Sequence, residues 1–406
     1  MKVLLINKFL YPKGGSETYV FKLGETLQRM GHEVQYFGME HSDNVVGNAV
    51  GEYTQNVDFH SGSPFKLISG SLNTVYSSQA RKKIRKVLDG FKPDVCHLNN
   101  FNYQLTPSII LEIVKWRKQN GRDCRIIYTA HDLQLVCPNH LMLNPVTGEI
   151  CEKCLGGKYH NCISGKCIHG SAAKSIFGAA EAYYWKAKKV YRYIDAVVSP
   201  SAFLAQKLAT RSELKDKITV MQNFVGITKS EKYPKGGYVL YFGRYSKEKG
   251  VETLLRAVDS LPDVKFVFAG SGPLEQEIEK RSNVINRGFV EGEELVRLVS
   301  QADFSVVPSE CYENCPFTVI ESRVYGTPVL GADIGGIPEL VDNGVNGELF
   351  ESGNAEMLAA KIKELSADKA KLEAYAKNCF ESSFFSAEKY CAMLTDIYSV
   401  KSEESR

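Results

Sequence analysis

Short apolar runs alternate with stretches of helical periodicity along the chain, and the alternation restarts once. Val3-Leu4-Leu5-Ile6 is an uninterrupted apolar run of the kind that fits a parallel strand covered on both faces. The turn-rich segment Tyr11-Pro12-Lys13-Gly14-Gly15-Ser16-Glu17 follows. Val20, Leu23, Leu27 and Met30 then recur at helical spacing up to Gly31, and His32–Phe37 reads as a second strand. Asp94–Leu98, Arg125–Ala130 and Ala196–Ser201 continue the series, the last leading into a helix through Leu208. A second series predicts strands at Tyr238–Phe242, Val264–Phe268, Val284–Asn286, Phe304–Pro308 and Pro328–Leu330. Its helices cover Val251–Val258, Leu274–Lys280 and Glu293–Gln301. Two successive βα series predict an α/β protein of two doubly wound domains. The first is expected over residues 1–222 and the second over 223–385. A helix in 386–406 is expected to cross back to the first domain. Residues 137–170 resist the βα pattern; they are loop-rich and hold five of the eleven cysteines.

The 406 residues are 44% hydrophobic and 24% charged, an ordinary globular balance that excludes disorder, collagen and coiled coil. No uncharged apolar run approaches the ~18 residues of a membrane span. Lys8 breaks the first apolar stretch and no small-residue cleavage site follows, so the expectation is a cytoplasmic protein. The net charge of +3 hides an asymmetry: residues 1–222 carry 29 Lys and Arg against 18 Asp and Glu, residues 223–406 carry 21 against 29. A basic half suits an anionic surface or a phosphate-bearing ligand. Its cations are not interleaved into any nucleic-acid module, so no nucleic-acid partner is expected.

Open α/β sheets bind ligands beyond the carboxyl ends of their strands, so the residues just after each strand matter most. Gly14-Gly15 lies between the first strand and first helix, where backbone N–H groups can meet an anion. Gly243-Arg244-Tyr245-Ser246-Lys247-Glu248-Lys249-Gly250 holds the same place in the second series. Arg244 and Lys249 could converge there on a diphosphate. After the Phe304–Pro308 strand comes Glu313-Asn314-Cys315-Pro316-Phe317-Thr318-Val319-Ile320-Glu321. Its second carboxylate lies on an apolar helical run and needs a partner, such as a sugar diol. His131, in Thr129-Ala130-His131-Asp132, ends a buried strand and could hydrogen-bond or shuttle protons. Each feature alone has a bland reading, as a turn, a solvated loop, a surface pair or a structural histidine. Together they fall where two facing doubly wound domains would hold a ligand.

These residues resemble a glycosyltransferase of family 4, with the GT-B fold. The resemblance covers nearly the whole chain and is densest from Gly243 to Asn354. There Phe242-Gly243-Arg244…Lys249-Gly250, Ala269-Gly270-Ser271-Gly272-Pro273, Glu313…Glu321, Gly335-Gly336-Ile337-Pro338-Glu339 and Asp342-Asn343-Gly344-Val345-Asn346-Gly347 follow in family order. Gly14-Gly15-Ser16-Glu17 and Gly31-His32-Glu33-Val34 match in the first half. The resemblance implies a retaining hexosyltransferase that needs no catalytic metal. Its co-substrate would be a nucleotide-sugar, with uridine favoured over guanosine or adenosine. Its acceptor would be a glycan or a polyprenyl-diphosphate-linked sugar in cell-surface polysaccharide synthesis. It further implies that Arg244 and Lys249 hold the donor diphosphate and that Glu321 binds the ribose. Glu313 and the backbone of Asn314, Cys315, Pro316 and Phe317 would meet the donor sugar, the backbone near Val290 the base, and His131 the transferred sugar. Many relatives have Phe-Gly where this chain has Cys315-Pro316, a departure that bears on donor-sugar identity. A sugar phosphorylase, an epimerase or a non-catalytic nucleotide-sugar-binding partner are the alternatives.

Two further features lie outside that constellation. Cys151, Cys154, Cys162 and Cys167 could supply four thiolates to a structural zinc, although only Cys151 and Cys154 form a CxxC; free thiols in a loop are the other reading. Arg81–Lys86 has five cations in six residues, and Tyr183–Tyr193 mixes five aromatics with four cations. Trp116-Arg117-Lys118 adds to the same domain. Such mixtures suit a lipid headgroup zone, so an anionic membrane on the inner face of the plasma membrane is an expected partner. A solvated helix face is the alternative.

Overall fold

The computed structural model describes residues 1–56, 75–225, 233–381 and 384–400. The chain divides into two compact units, one of Met1–Asn223 with Phe385–Arg406, the other of Phe224–Phe384. Each is a six-stranded, wholly parallel sheet with helices packed against it.

In the first unit the strands are β1 (Lys2–Ile6), β2 (Glu33–Phe37), β3 (Val95–Leu98), β4 (Arg125–Thr129), β5 (Ala196–Ser199) and β6 (Ile218–Val220), in the order β2-β1-β3-β4-β5-β6. The central strands read as continuous apolar runs because helices cover both faces. Val3 to Ile6 are fully buried, as are Ile126, Ile127 and Tyr128 of β4. The helices Gly15–Arg29, Ser78–Phe91, Ser108–Asn120, Ala172–Lys188 and Ala202–Leu208 supply the covering layers. The helix Ala387–Ser399, the last among the described residues, packs on Gly15–Arg29. Tyr390 on that helix meets Tyr19 hydroxyl to hydroxyl at 2.8 Å, and the Tyr398 hydroxyl meets His97 Nδ1 at 2.6 Å. Arg125 of β4 donates to the carbonyl of Ile397 at 2.7 Å.

In the second unit the strands are β7 (Val239–Phe242), β8 (Phe266–Ala269), β9 (Val284–Asn286), β10 (Phe304–Val307), β11 (Val329–Ala332) and β12 (Gly347–Phe350), ordered β12-β11-β10-β7-β8-β9. Leu240, Phe268, Phe304 and Leu330 have no exposed surface, and Val251, Val258, Leu358 and Ile362 pack over them from the helices. Most strands lie within two residues of the sequence expectation. β6 and β12 were not foreseen, being three and four residues long with no alternation to betray them.

Candidate functional site

The strand order of the second unit reverses at β7. The chain lays β8 and β9 on one flank of that strand and β10 on the other. At such a switch point the loops leaving the two adjacent strands diverge to opposite faces and leave a crevice beyond the carboxyl ends. Here those loops are 243–250 after β7 and 308–316 after β10.

They meet through charge. Lys249 Nζ donates to Glu313 Oε1 at 2.6 Å, and Ser309 Oγ donates to the same oxygen at 2.8 Å. Burial would lower the Lys249 pKa, but the Glu313 carboxylate outweighs it and holds the ammonium above its ordinary value. The Lys249 side chain stays 35% exposed, against 13% for Glu313, so the ammonium can still reach a ligand. Glycine is required twice in this packing. Gly250 sits at φ +70°, and a Cβ there would lie 1.7 Å from the Pro308 carbonyl oxygen. Gly335 sits at φ +62°, where a Cβ would lie 2.4 Å from the Glu313 carbonyl oxygen. The N–H of Gly336 donates to that same carbonyl at 2.6 Å. Arg244 is exposed, and its guanidinium makes no ion pair or hydrogen bond among the described residues. The Tyr241 hydroxyl steadies the loop by donating to the Arg244 carbonyl at 2.7 Å.

Glu321 lies on the helix Phe317–Val324, which Pro316 precedes in an extended conformation. Val319, Ile320, Ser322 and Val324 bury one side of that helix. Ser305 of β10 donates to Ser322 Oγ at 2.8 Å, which in turn donates to the Thr318 carbonyl at 2.7 Å, pinning the helix to the sheet. Glu321 is half-buried, and its carboxyl has no hydrogen-bond or ion-pair partner among the described residues. Burial alone pushes its carboxyl up to about 7. Asn314 and Phe317 are half-buried, and Cys315 belongs to the core. Val290 packs partly on that core, whereas Phe289 beside it is 73% exposed, an aromatic the sequence reading passed over.

The first unit has its own switch point at β1, with β2 on one flank and β3 on the other. Asn7, just after β1, accepts from the N–H of Asn100 at 3.0 Å and donates to Glu17 Oε1 at 3.0 Å. Asn100 also donates to Ser16 Oγ at 3.0 Å, so the loops after β1 and β3 are stitched to the start of the helix Gly15–Arg29. Gly14 and Gly15 are exposed at that helix start. Gly14 is extended, with φ −175°, and a Cβ would meet only Glu17 Oε2 at 3.6 Å. Its backbone conformation is therefore open to any residue. His131 follows β4; its Nε2 meets Asn99 Oδ1 at 2.9 Å and its ring stands edge-on to Tyr19 at 4.8 Å. Burial pushes its pKa down to about 4, outweighing Asp132, so the imidazole is neutral at pH 7 with its proton on Nε2 facing Asn99. Asn7, Asn99 and Asn100 escaped the sequence reading. The available signal was a polar residue ending each apolar run, as in Ile6-Asn7 and Leu98-Asn99-Asn100.

The zinc expectation finds no support. Among the described residues no group of three or more His, Cys, Asp or Glu is placed to hold a metal ion. Cys154, Cys162 and Cys167 instead form a small apolar cluster with Tyr159 and Ala179, while Cys151 stays partly exposed. Burial raises the thiols of Cys154, to about 12, and of Cys162 and Cys167. Also among the described residues, no helix is long and apolar enough to cross a membrane.

The sequence profile of Glycosyltransferase Family 4 matches residues 13–229. The chain belongs to glycosyltransferase family 4. The profile of Glycosyl transferases group 1 matches residues 227–381, which include the Arg244, Lys249, Glu313 and Glu321 positions. Among curated relatives, the sulfoquinovosyl transferase SQD2 of Arabidopsis thaliana is 32% identical over 150 residues, 36% of this chain and 29% of that protein. An uncharacterized 42.6 kDa protein of the Klebsiella pneumoniae cps region is 23% identical over 364 residues, 84% of this chain and 87% of that one. The chain spans 29%, 38% and 54% of the length of three of the curated relatives it matches. Solved structures share the GT-B fold of this family 4 chain. A sucrose-phosphate synthase of Thermosynechococcus elongatus superposes with TM-score 0.68 at 20% identity over 98% of both chains. Anabaena HepE in complex with UDP superposes with TM-score 0.68 at 17% identity over 98% of this chain and 100% of that one.

Proposed function

We propose that this family 4 protein is a retaining hexosyltransferase. It moves a sugar from a UDP-sugar to a glycan or lipid-linked acceptor in the synthesis of a cell-surface polysaccharide. The observation that carries this reading is the crevice between β7 and β10. The loops and the helix around it carry an exposed guanidinium, an ammonium braced by Glu313, and a Glu321 carboxyl whose burial no side chain among the described residues offsets. A nucleotide-sugar supplies what each lacks. Arg244 and Lys249 take the diphosphate, on which negative charge grows as the sugar leaves, so fixed cations there stabilise the transition state. Glu321 accepts from the ribose hydroxyls. Glu313 and the backbone of Asn314, Cys315, Pro316 and Phe317 meet the sugar, and Val290 lies at the base. In the first unit, Gly14 and Gly15 lie exposed at a helix start, and neutral His131 hydrogen-bonds the transferred sugar. The bond from the anomeric carbon to the departing phosphate breaks as the acceptor hydroxyl attacks from the same face, and its proton passes to that phosphate. No metal is required for this sequence. Uridine is supported by the UDP and UDP-glucose complexes of HepE, and the polysaccharide role by the cps-region relatives.

The test is a thermal-shift comparison with UDP-glucose, GDP-mannose and ADP-glucose without added metal. A donor at 100 times its Kd stabilises its site by about 2.7 kcal/mol. The UDP-sugar is expected to shift the wild type and not Glu321→Ala. Lys249→Ala and Glu321→Ala are each expected to lower transfer by about 100- to 1,000-fold. No shift with any donor, together with near-normal turnover of both variants, would overturn the assignment.

A further inference from the structure

The helix Ala172–Lys188 presents two faces of very different chemistry. Ser175, Gly178, Ala179, Glu181 and Trp185 are buried, with the Trp185 indole N–H donating to the Val75 carbonyl at 3.0 Å. The opposite face is apolar and exposed. Ile176 is 50% exposed and Phe177 42%, and Ala173, Ala180, Tyr184 and Ala187 continue the same stripe at helical spacing. Val146 extends it beyond the helix start, within 4.0 Å of where a Cβ on Gly170 would stand.

The charges around this stripe are mostly positive, with Glu149 the one exposed, unpaired carboxylate among the described residues 137–192. Residues 137–192 hold eight Lys and Arg against three carboxylates. Of the three, Glu152 is paired with Lys207 at 2.5 Å, and Glu181 is buried, with its carboxyl pushed up to about 8. Lys188 and Lys189 are exposed at the helix end, and Lys188 lies over the Tyr184 ring at 5.8 Å. Lys186 is engaged with the carbonyls of Gly156 and Gly157 at 3.3 and 3.2 Å. The basic run 81–86, equally suggestive in sequence, is different. Arg81 and Arg85 pair with Glu112, Arg85 also with Asp89, and Lys83 and Lys86 with Glu52. That run is largely neutralised within the protein. Trp116 and Arg117 are buried, the latter paired with Asp195.

We infer that the exposed face of the helix Ala172–Lys188 docks on an anionic lipid bilayer, with Ile176 and Phe177 entering the headgroup–acyl boundary and Lys188 and Lys189 meeting lipid phosphates. An apolar stripe flanked by exposed cations is the pattern of an interfacial helix, because apolar burial and headgroup attraction act on one surface. The buried side of this helix adjoins the loops beyond β3 and β4: Gly178 packs beside the Tyr103 hydroxyl, and the Tyr103 ring stacks on His140 at 5.0 Å. The docked face thus lies one helix away from the sheet edge that carries His131, which suits an acceptor presented from the bilayer. The docking rests on this surface alone; only the acceptor consequence rests on the transferase reading.

The experiment is flotation of the full chain with phosphatidylcholine vesicles containing or lacking phosphatidylglycerol. Ile176→Ser with Phe177→Ser, and Lys188→Glu with Lys189→Glu, are the variants; all four side chains are exposed, and the UDP-sugar thermal shift reports that the fold and donor site survive. The wild type is expected to float with the anionic vesicles. Both double variants should bind at least tenfold more weakly, and Phe177→Trp should show blue-shifted emission on the anionic vesicles only. Unchanged flotation of the serine variant would overturn the proposal. So would a wild-type dimer in lipid-free solution that the serine variant converts to monomer, because the face would then belong to a second copy.

Discussion

Glu321 is the residue at which function and stability pull apart. Its carboxyl is held near 7 in the folded protein against an ordinary 4.5, so the folded state binds its proton more tightly than the unfolded chain. That contribution to stability is present below about pH 4.5 and is lost as pH rises toward 7. It amounts to on the order of 1–3 kcal/mol. Glu321→Gln should therefore flatten the fall in Tm between pH 4.5 and 7 and raise the donor-free Tm at pH 7.5, while abolishing the UDP-sugar shift. A lower Tm for the variant at pH 7.5 would contradict this. The buried histidines of the first unit slope the other way. His97 and His131 have pKa values pushed down to about 3 and about 4 by burial, so their contribution is whole above about 6.5 and declines as pH falls below it. Calorimetry across pH 5–8 should accordingly move the transitions of the two units in opposite senses.

At the scale of elements, the glycines at positive φ give the sharpest prediction. Gly250→Ala must displace backbone at Pro308 and with it the Lys249 loop, costing about 2–4 kcal/mol from the left-handed conformation and overpacking together. Gly353, at φ +81°, has nothing within 4 Å of its would-be Cβ, so Gly353→Ala should cost only about 1 kcal/mol. Equal losses of Tm in the two variants would remove the close approach as the cause. The βα alternation was legible because each central strand is apolar on both faces, as in Val3 to Ile6, and because Gly14, Gly250 and Pro316 punctuate the units. The chemistry was legible only as a set of residues. Sequence spacing says nothing of the 2.6 Å contact between Lys249 and Glu313, 64 positions apart, which needs β10 to be laid beside β7. Nor does it separate Arg81–Lys86 from Lys188 and Lys189, because the carboxylates that neutralise the first run, Glu52 and Glu112, come from elsewhere in the chain. The cysteine insert was left between two readings for a related reason. Thiol spacing invites a metal, while the apolar neighbours Tyr159 and Ala179 become visible only when folded.

At the scale of the whole molecule, the chain leaves the first unit at Asn223, builds the second over Phe224–Phe384, and returns. The second unit is thus an insertion with its own core and its own switch-point loops. Residues 224–384 expressed alone should fold and show a UDP-sugar thermal shift; a chain without secondary structure by circular dichroism would refute its independence. Ending the chain at 384 should spare that unit and weaken the first. It removes the hydroxyls of Tyr390 and Tyr398 from Tyr19 and His97, each a buried hydrogen bond whose loss costs about 1–3 kcal/mol.

The return of the helix Ala387–Ser399 also sets an order of events at the ribosome. The six strands of the first sheet emerge early, but the helix that covers Tyr19 and His97 is translated only after the whole of the second unit. The second unit, contiguous in the chain, can complete itself first. Throughout that interval the nascent first unit carries an open apolar seam along Gly15–Arg29, so its dependence on holdase chaperones should end once Ala387–Ser399 has left the ribosome and docked.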